Sequence, residues 1–182
     1  LNPSSAASDV YKRQTIDGFE LEVTSNVGDD WTLSAGLTLL DSAYGDFLNT
    51  DALQGDAGVL QNKGNPLNKA PEQSLNVGIV RNMTFDSGAS LALSLNTAYR
   101  SRTYFREFGQ IDDSQAAYTV VNFNANFETA DELFTTRFFV NNATNEAYIT
   151  DMSTGDSQYG RHAAWGMPRH IGIELTRHFG TR

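Results

Sequence analysis

The chain has 182 residues, a formal net charge of −9 and no cysteine. The acidic balance argues against nucleic acid as a partner, because a protein that binds phosphate backbones needs a basic face. The lack of cysteine excludes disulfides, thiolate metal sites and cysteine nucleophiles. No apolar run reaches the roughly 20 residues that a transmembrane helix needs.

The first 14 residues differ in character from the rest of the chain. Ser4–Gln14 reads SSAASDVYKRQ, which resembles the in-frame translation of a transposase adapter used to prepare sequencing libraries. We therefore interpret residues 1–14 as an added segment outside the domain, as for scars and tags. The alternative is a polar, flexible N-terminal tail. Residues 15–182 are then the protein domain, and by length they fit a single one.

Alternation of apolar and polar residues runs through most of residues 15–182, and helical patterns are nearly absent. The clearest segment is LALSLNTAYR at Leu91–Arg100. Seven such segments occur, and their first apolar residues are Phe19, Trp31, Leu75, Leu91, Val121, Phe134 and Ile171. Each is near the roughly 10 residues that a tilted barrel strand needs. The pattern predicts an all-β, antiparallel fold with about seven strands.

The connections between these strands alternate in length. Short turns fall at residues 28–30, 86–88 and 129–131, and long connections at about 41–71, 101–117 and 149–168. Outer-membrane barrels have short periplasmic turns and long outer loops, whereas structureless loops above about 12–15 residues are uncommon in compact soluble domains. The rhythm therefore favours an up-and-down transmembrane β-barrel segment over a soluble sandwich. It also predicts that Phe179 lies at the periplasmic rim.

Aromatic residues should mark both membrane interfaces of such a barrel. At the short-turn ends we assign Trp31, Phe85, Phe127, Phe134 and Phe179. At the long-loop ends we assign Tyr44, Tyr99, Tyr104, Tyr118 and Tyr148. The alternative is that aromatic residues are simply common in strands.

One stretch is basic and aromatic in this acidic chain: RSRTYFR at Arg100–Arg106. Arginines with aromatic neighbours attract anionic chelates by Coulomb attraction and stacking. Arg102, Tyr104 and Arg106 are therefore candidate ligand contacts. The alternative is an interface anchor that also binds lipopolysaccharide phosphates.

The last long connection holds a second candidate group, Arg161, His162 and Trp165. The alternative is a solvated loop with an interface aromatic residue. The other two histidines, His170 and His178, are eight residues apart on one strand. They would lie about 26 Å apart at strand rise and cannot share a metal.

Other chemistry is weakly indicated. Asp46, Asp51 and Asp56 are regularly spaced, but they do not match an EF-hand loop, and an acidic outer loop is the simpler interpretation. Glu20 and Glu22 are interpreted as lining a wet lumen rather than as a glycosidase pair. No histidine accompanies a nucleophile motif such as G-x-S-x-G. We expect no catalytic residue, no metal and no cofactor.

Several segments, in this order, resemble the C-terminal part of the TonB-dependent receptor family. They are GFELE at Gly18–Glu22, WTLSAGLTLLDSAY from Trp31, NPLNKAPEQSLNVG from Asn65, AYRSRTY at Ala98–Tyr104, YTVVNFNANF from Tyr118, FFVNNATNEAY at Phe138–Tyr148 and PRHIGIELTRHF at Pro168–Phe179. Two departures stand out. Asn141–Asn145 replaces an Asn-Leu-Phe-Asp-like sequence, and Gly180–Arg182 follows Phe179, where the family usually ends on an aromatic residue.

The resemblance implies a bacterial outer-membrane barrel of about 22 strands that encloses an N-terminal plug domain. Such receptors import scarce ligands, usually ferric siderophores and sometimes haem, cobalamin or sugars. They draw energy from the inner-membrane TonB–ExbB–ExbD complex through the plug. We expect a fragment of receptor wall, not an enzyme, with outer-membrane lipids and lipopolysaccharide around it.

The plug and its coupling box are not in this sequence, so the fragment should not transport by itself. Asn122, Asn124 and Asn126 would face the interior and contact the plug. Two alternatives to an energy-coupled receptor stay open, namely a passive porin-like barrel and a soluble β-sandwich ligand-binding module.

Overall fold

The computed structural model describes residues 13–54, 59–154 and 159–179. Its strands are β1 (Gln14–Val27), β2 (Trp31–Tyr44), β3 (Leu48–Thr50), β4 (Val59–Gln61), β5 (Gln73–Thr84), β6 (Ser90–Arg100), β7 (Thr103–Tyr104), β8 (Ser114–Gln115), β9 (Tyr118–Glu128), β10 (Phe134–Asn141), β11 (Ile149–Thr154), β12 (Arg161–Trp165) and β13 (His170–Arg177). Apart from these strands, the described residues include two 3-10 turns, Ala52–Gln54 and Ile111–Asp113. The segment assigned to 1–14 falls outside the description except for Arg13 and Gln14, where β1 begins.

The seven long strands form one antiparallel sheet in the order β1-β2-β5-β6-β9-β10-β13. Each strand lies beside the long strand that precedes it in the chain, which is an up-and-down arrangement. The all-β prediction and the seven strands are confirmed. Because the long strands form one sheet rather than two packed layers, the sandwich alternative is wrong for this chain.

Alternation gives the sheet two different faces. Leu95 pairs with Ile79 on one side and with Phe123 on the other, so apolar residues align across three strands. We call this the apolar face, and the opposite side, which holds Asn96 and Asn122, the polar face. Leu95 is 41% exposed, so nothing in the described chain covers the apolar face. Such a face is expected where a barrel wall meets lipid.

The connections follow the predicted rhythm. Short turns occupy 28–30, 85–89 and 129–133, and each contains a residue with positive φ: Gly28, Gly88 and Glu132. The chain's last described residues return to the short-turn end, where His178 N donates to Leu133 O at 2.8 Å. Phe179 therefore lies at that end, as predicted.

The three long connections are the first long loop (45–72), the second (101–117) and the third (142–169), and together we call them the cap. Two predicted boundaries were wrong. The first loop starts after Tyr44 rather than at Asp41, because residues 41–44 continue the pairing with β1. The third begins at Asn142 rather than at Ile149, because Asn142 has a φ of +49° and ends β10.

The cap, unlike the sheet, contains a small apolar core. Tyr44, Phe47 and Leu67 are buried together, and Ala70 packs against them. Tyr44 is only 8% exposed, so its assignment to a lipid-facing girdle is wrong. No helix in the described ranges is long and apolar enough to cross a membrane.

Candidate functional site

The three long loops contact one another at one end of the sheet. Lys69 N in the first loop donates to Tyr104 O in the second at 2.8 Å. Ile149 N in the third loop donates to Gln115 Oε1 in the second, also at 2.8 Å. Lys69 Nζ also pairs with Asp151 Oδ1 of the third loop at 2.9 Å. The cap is therefore a connected assembly rather than three separate loops.

A chain of four charged side chains crosses the interior of the cap. Arg106 Nη2 pairs with Asp51, and Arg106 Nη1 pairs with Asp113 Oδ2 at 2.9 Å. Arg161 Nε then pairs with Asp113 Oδ1 at 2.5 Å. Asp51 and Asp113 are completely buried, whereas the Arg161 side chain is 36% exposed. Two carboxylates and two guanidinium groups meet, so their formal charges cancel.

The local fold of the second loop places Asp113 beside Arg106. The 3-10 turn at Ile111–Asp113 reverses the chain, and Phe105 N donates to Asp113 O at 2.8 Å. The Arg106 guanidinium also lies 4.5 Å from the centre of the Phe108 ring. On the far side, the hydrogen bond from Arg161 to Asp113 raises the pKa of Arg161 above its ordinary value. Arg161 is therefore held as a cation against Asp113.

A cluster of aromatic side chains lies where the polar face meets the third loop of the cap. Tyr118 and Tyr148 stack with their ring centres 4.5 Å apart and their planes 13° apart. Tyr118 shares the polar face with Asn122, because residues an even number apart on a strand point the same way. A depression of about 330 Å³ is lined by Ala98, Arg100, Tyr118, Val120, Asn122, Tyr148 and Thr150.

The cluster continues onto the last two strands of the sheet. Phe139 stacks with His170 at 5.5 Å, and the Arg137 guanidinium lies 5.2 Å from the Phe139 ring centre. Phe139 pairs with Gly172, whose missing side chain leaves room for the ring, since a Cβ there would come within 2.3 Å of Phe139 Cζ. A second depression of about 340 Å³ includes Asn122, Tyr148 and His170. The two depressions share residues, and we call them together the aromatic pocket.

Asn142 fastens the third loop next to this pocket. Its side chain donates to Glu146 O at 2.8 Å and to Met167 O at 3.0 Å, and it accepts from Glu146 N at 2.8 Å. Its backbone N donates to Asn122 Oδ1 at 2.9 Å. Asn142 is 3% exposed. Where the sequence departs from the family pattern, it therefore supplies a residue that joins both ends of the loop.

The predicted contacts in the second loop lie in two places. Arg102 and Tyr104 line a depression together with Tyr99, which shares the apolar face with Leu95. Arg102 Nη1 donates to Ser114 Oγ at 2.8 Å. Arg106 instead lies inside the cap. None of the three lines the aromatic pocket as described above.

The predicted contacts in the third loop are also separated. Strand alternation on β12 puts Arg161 and Trp165 on one side and His162 on the other. Arg161 reaches into the cap, whereas Trp165 is 64% exposed. Their role as ligand contacts stays a prediction.

Sequence reasoning missed the aromatic pocket, although two signals for it were present. Their positions near strand ends predict Tyr118 and Tyr148 in the outer interface girdle. For Tyr118 this is wrong, because it points to the same face as Asn122. Tyr148, in the third loop, stacks on Tyr118 and so lies over the same polar face. The second signal is Phe139, an aromatic residue on the polar side of its strand, together with Gly172 in the last strand, which leaves room for a large ring.

The regularly spaced aspartates of the first loop do not act as a group. Asp46 pairs with Lys63 at 3.1 Å, Asp51 belongs to the buried ion-pair chain, and Asp56 lies outside the described residues. Within the described ranges, no three histidine or carboxylate side chains come together in a way that could hold a metal ion.

A family model for the TonB dependent receptor-like β-barrel matches residues 2–143. The chain belongs to this family. Its proteins lie in the outer membrane of Gram-negative bacteria, and they are transport receptors rather than enzymes. The predicted family, fold class and location are therefore confirmed. A search of curated protein sequences gives no match.

Solved receptor structures share the fold. The ferric yersiniabactin uptake receptor FyuA from Yersinia pestis superposes with a TM-score of 0.74 at 16% identity, over 90% of this chain and 23% of that one. The siderophore receptor PiuA from Acinetobacter baumannii gives 0.71 at 17% identity, over 90% and 22%. The ferric preacinetobactin receptor BauA from the same species gives 0.66 at 20%, over 91% and 22%. The chain thus spans less than a quarter of these receptors.

Proposed function

We propose that this chain is part of the wall of an outer-membrane receptor that imports a ferric siderophore-like chelate with energy from the TonB–ExbB–ExbD complex. The observation that carries the proposal is the aromatic pocket, which combines stacked rings with cationic groups under the cap of a confirmed receptor barrel. The three matched structures described above are all receptors for siderophores. Energy coupling would act through an N-terminal plug domain of the intact receptor.

The chemistry of the pocket suits an anionic chelate. Arg100 lines it, and Lys69 and Arg100 both line a smaller neighbouring depression of about 160 Å³. Rings such as Tyr148 offer flat surfaces for stacking, and cations attract the negative charge of the chelate. The volume of about 330 Å³ falls at the lower end of the usual range for small-molecule sites. Other parts of the intact barrel would complete the site.

Within this proposal, the six residues predicted from the sequence take different parts. Arg106 and Arg161 would hold the cap in shape, while His162 and Trp165, which are exposed on β12, would meet an arriving ligand. Arg102 and Tyr104 would contact the ligand only if it passes the outer rim. Lipopolysaccharide phosphates would be their neighbours otherwise.

The lower polar face would contact the plug. Asn76 and Asn96 line a shallow depression of about 270 Å³ around Gly36 and Gly78, with Glu22 at its side. On β9, Asn124 Oδ1 accepts a hydrogen bond from Arg137 Nη2 at 3.0 Å. These amides and the Glu22 carboxylate are suited to hydrogen bonds with a polar domain inside the barrel.

Iron uptake by cells carrying the full-length receptor tests this function. We expect iron-starved cells to accumulate iron from at least one ferric siderophore, and this uptake should stop when the TonB protein is removed. A passive porin would give uptake independent of TonB and a steady conductance in planar bilayers. Either of those results would contradict the proposal.

A further inference from the structure

We propose that Arg161 of the third long loop supplies the charge that keeps the first long loop docked on the second, so that the described parts of the three loops hold together as one unit. This inference concerns the shape of the receptor's outer surface and does not depend on which ligand is imported. It rests on the ion-pair chain Asp51–Arg106–Asp113–Arg161.

The charges of the ion-pair chain balance only when all three loops are in place. The first loop contributes Asp51, and the second contributes Arg106 and Asp113. These three side chains alone would bury a net negative charge, because both carboxylates are fully buried and Arg106 is 8% exposed. Arg161, from the third loop, brings the second positive charge. A buried charge that lacks compensation is strongly destabilising.

Arg161 can therefore affect the first loop without contacting it, through the linked ion pairs. Arg161 bonds to Asp113 in the second loop, and Asp113 shares Arg106 with Asp51 in the first. The pKa of Arg161 is raised mainly by its hydrogen bond to Asp113, and the charges of Asp112 and, least of all, Asp51 add to the rise. If Arg161 is lost, Asp113 and Asp51 compete for one guanidinium. The first loop should then loosen even though its own ion-pair partner, Arg106, is intact.

A second link between the first and third loops provides a matched control. Lys69 pairs directly with Asp151, but both side chains are more than half exposed. Exposed ion pairs contribute little, because water and salt screen them. The proposal therefore predicts that the indirect, buried connection through Arg161 stabilises the docked first loop more than the direct, exposed ion pair of Lys69 does.

Hydrogen exchange of the full-length receptor, followed by mass spectrometry, tests this ranking. In Arg161→Met we expect the amides of β3 and β4 in the first loop to exchange about tenfold faster. This is less than the roughly hundredfold or more expected for a fully buried broken pair, because the Arg161 side chain is 36% exposed. In Lys69→Met they should change by less than about twofold. Arg161→Lys keeps the charge and should restore much of the protection. A gel-mobility shift on heating confirms that each variant forms its barrel.

Three outcomes would overturn the proposal. Arg161→Met could loosen only β11 and β12 of its own loop, Lys69→Met could loosen the first loop equally, or Arg161→Lys could behave like Arg161→Met. If Arg161→Met does not form a barrel, the proposal is tested on the native receptor instead. In a mild denaturant series, the amides of β3, β4 and β12 should open in one shared transition, and separate transitions would contradict the unit.

Discussion

The wall and the cap of this fragment are built in opposite ways. β1 is exposed along its whole length, and the apolar face of the sheet has no covering layer within the described residues. By contrast, the five buried polar or charged residues in the described ranges all belong to the long loops: Asp51, Asn62, Arg106, Asp113 and Asn142. The wall is held by its backbone ladder and by what surrounds it, whereas the cap is held by its own side chains.

This difference shows where specificity resides in a receptor barrel. The wall needs only alternating apolar and polar side chains along each strand and lipid around its apolar face. Neither requirement depends on contacts between particular pairs of residues. The cap needs particular partners, because a buried carboxylate without a cation is costly. Substitutions in the cap should therefore act through individual contacts, and substitutions in the wall should act through the face on which they lie.

The largest effect should come from Arg106→Met, which leaves Asp51 and Asp113 to one remaining arginine. Breaking a buried ion pair costs about 3–5 kcal/mol, so the cap should open while the barrel persists. Hydrogen exchange of the second loop measures the opening, and the heat-dependent gel shift reports the barrel. Arg102→Met, which removes a bond to Ser114 within the same loop, is the control. A receptor with an unchanged cap would contradict this role of Arg106.

A wall substitution tests the other half of the contrast. Leu95→Arg puts a charge in the middle of β6 on the apolar face, and arginine near the bilayer midplane costs about 2–4 kcal/mol. Asn96→Arg, one residue later on the polar face, should cost much less. Denaturant unfolding of the receptor in lipid vesicles compares the two. Equal losses would mean that the faces are not assigned correctly.

A smaller effect is expected from Asn142→Ala. The alanine leaves the Glu146 and Met167 carbonyls without their amide donor, at about 1–3 kcal/mol for unsatisfied buried groups. In Asn142→Gly, the glycine adopts the positive φ without strain but makes none of the side-chain hydrogen bonds of Asn142. Comparing the two variants therefore separates backbone strain from the loss of hydrogen bonds. We expect exchange in the third loop to rise in both variants, and more in the alanine variant. Unchanged exchange would show that the side chain of Asn142 does not stabilise the third loop.

The smallest effect should be the acid sensitivity of the exposed Lys69–Asp151 link. The hydrogen bond from Lys69 is the main reason that the pKa of Asp151 lies below its ordinary 3.8. The contribution of the pair is therefore present above that value and is lost as the pH falls through the lowered pKa. Exchange of β11 should rise slightly below about pH 4 in the native receptor and not in Lys69→Met. A transition near neutral pH would contradict this assignment.

The wall was predictable because its signal is local. Segments such as Leu91–Arg100 show the alternation of apolar and polar residues within ten positions. The short turns are indicated by the residue types between these segments. The cap was not predictable, since Asp51 and Arg106 are 55 residues apart and nothing near either one indicates the other. The aromatic pocket lies between these cases. The parity of Tyr118 was available, but its position near a strand end suggested the interface instead.

We infer that the aromatic pocket binds the ligand. Titration of the purified full-length receptor with the ferric siderophore that it imports, followed by fluorescence quenching, tests it most directly. Tyr148→Ala should weaken binding by about three- to tenfold, the usual worth of one aromatic stack. Tyr99→Ala, which removes a tyrosine from the apolar face, should leave the affinity unchanged. Equal effects of the two substitutions, or no effect of Tyr148→Ala, would contradict ligand binding in this pocket.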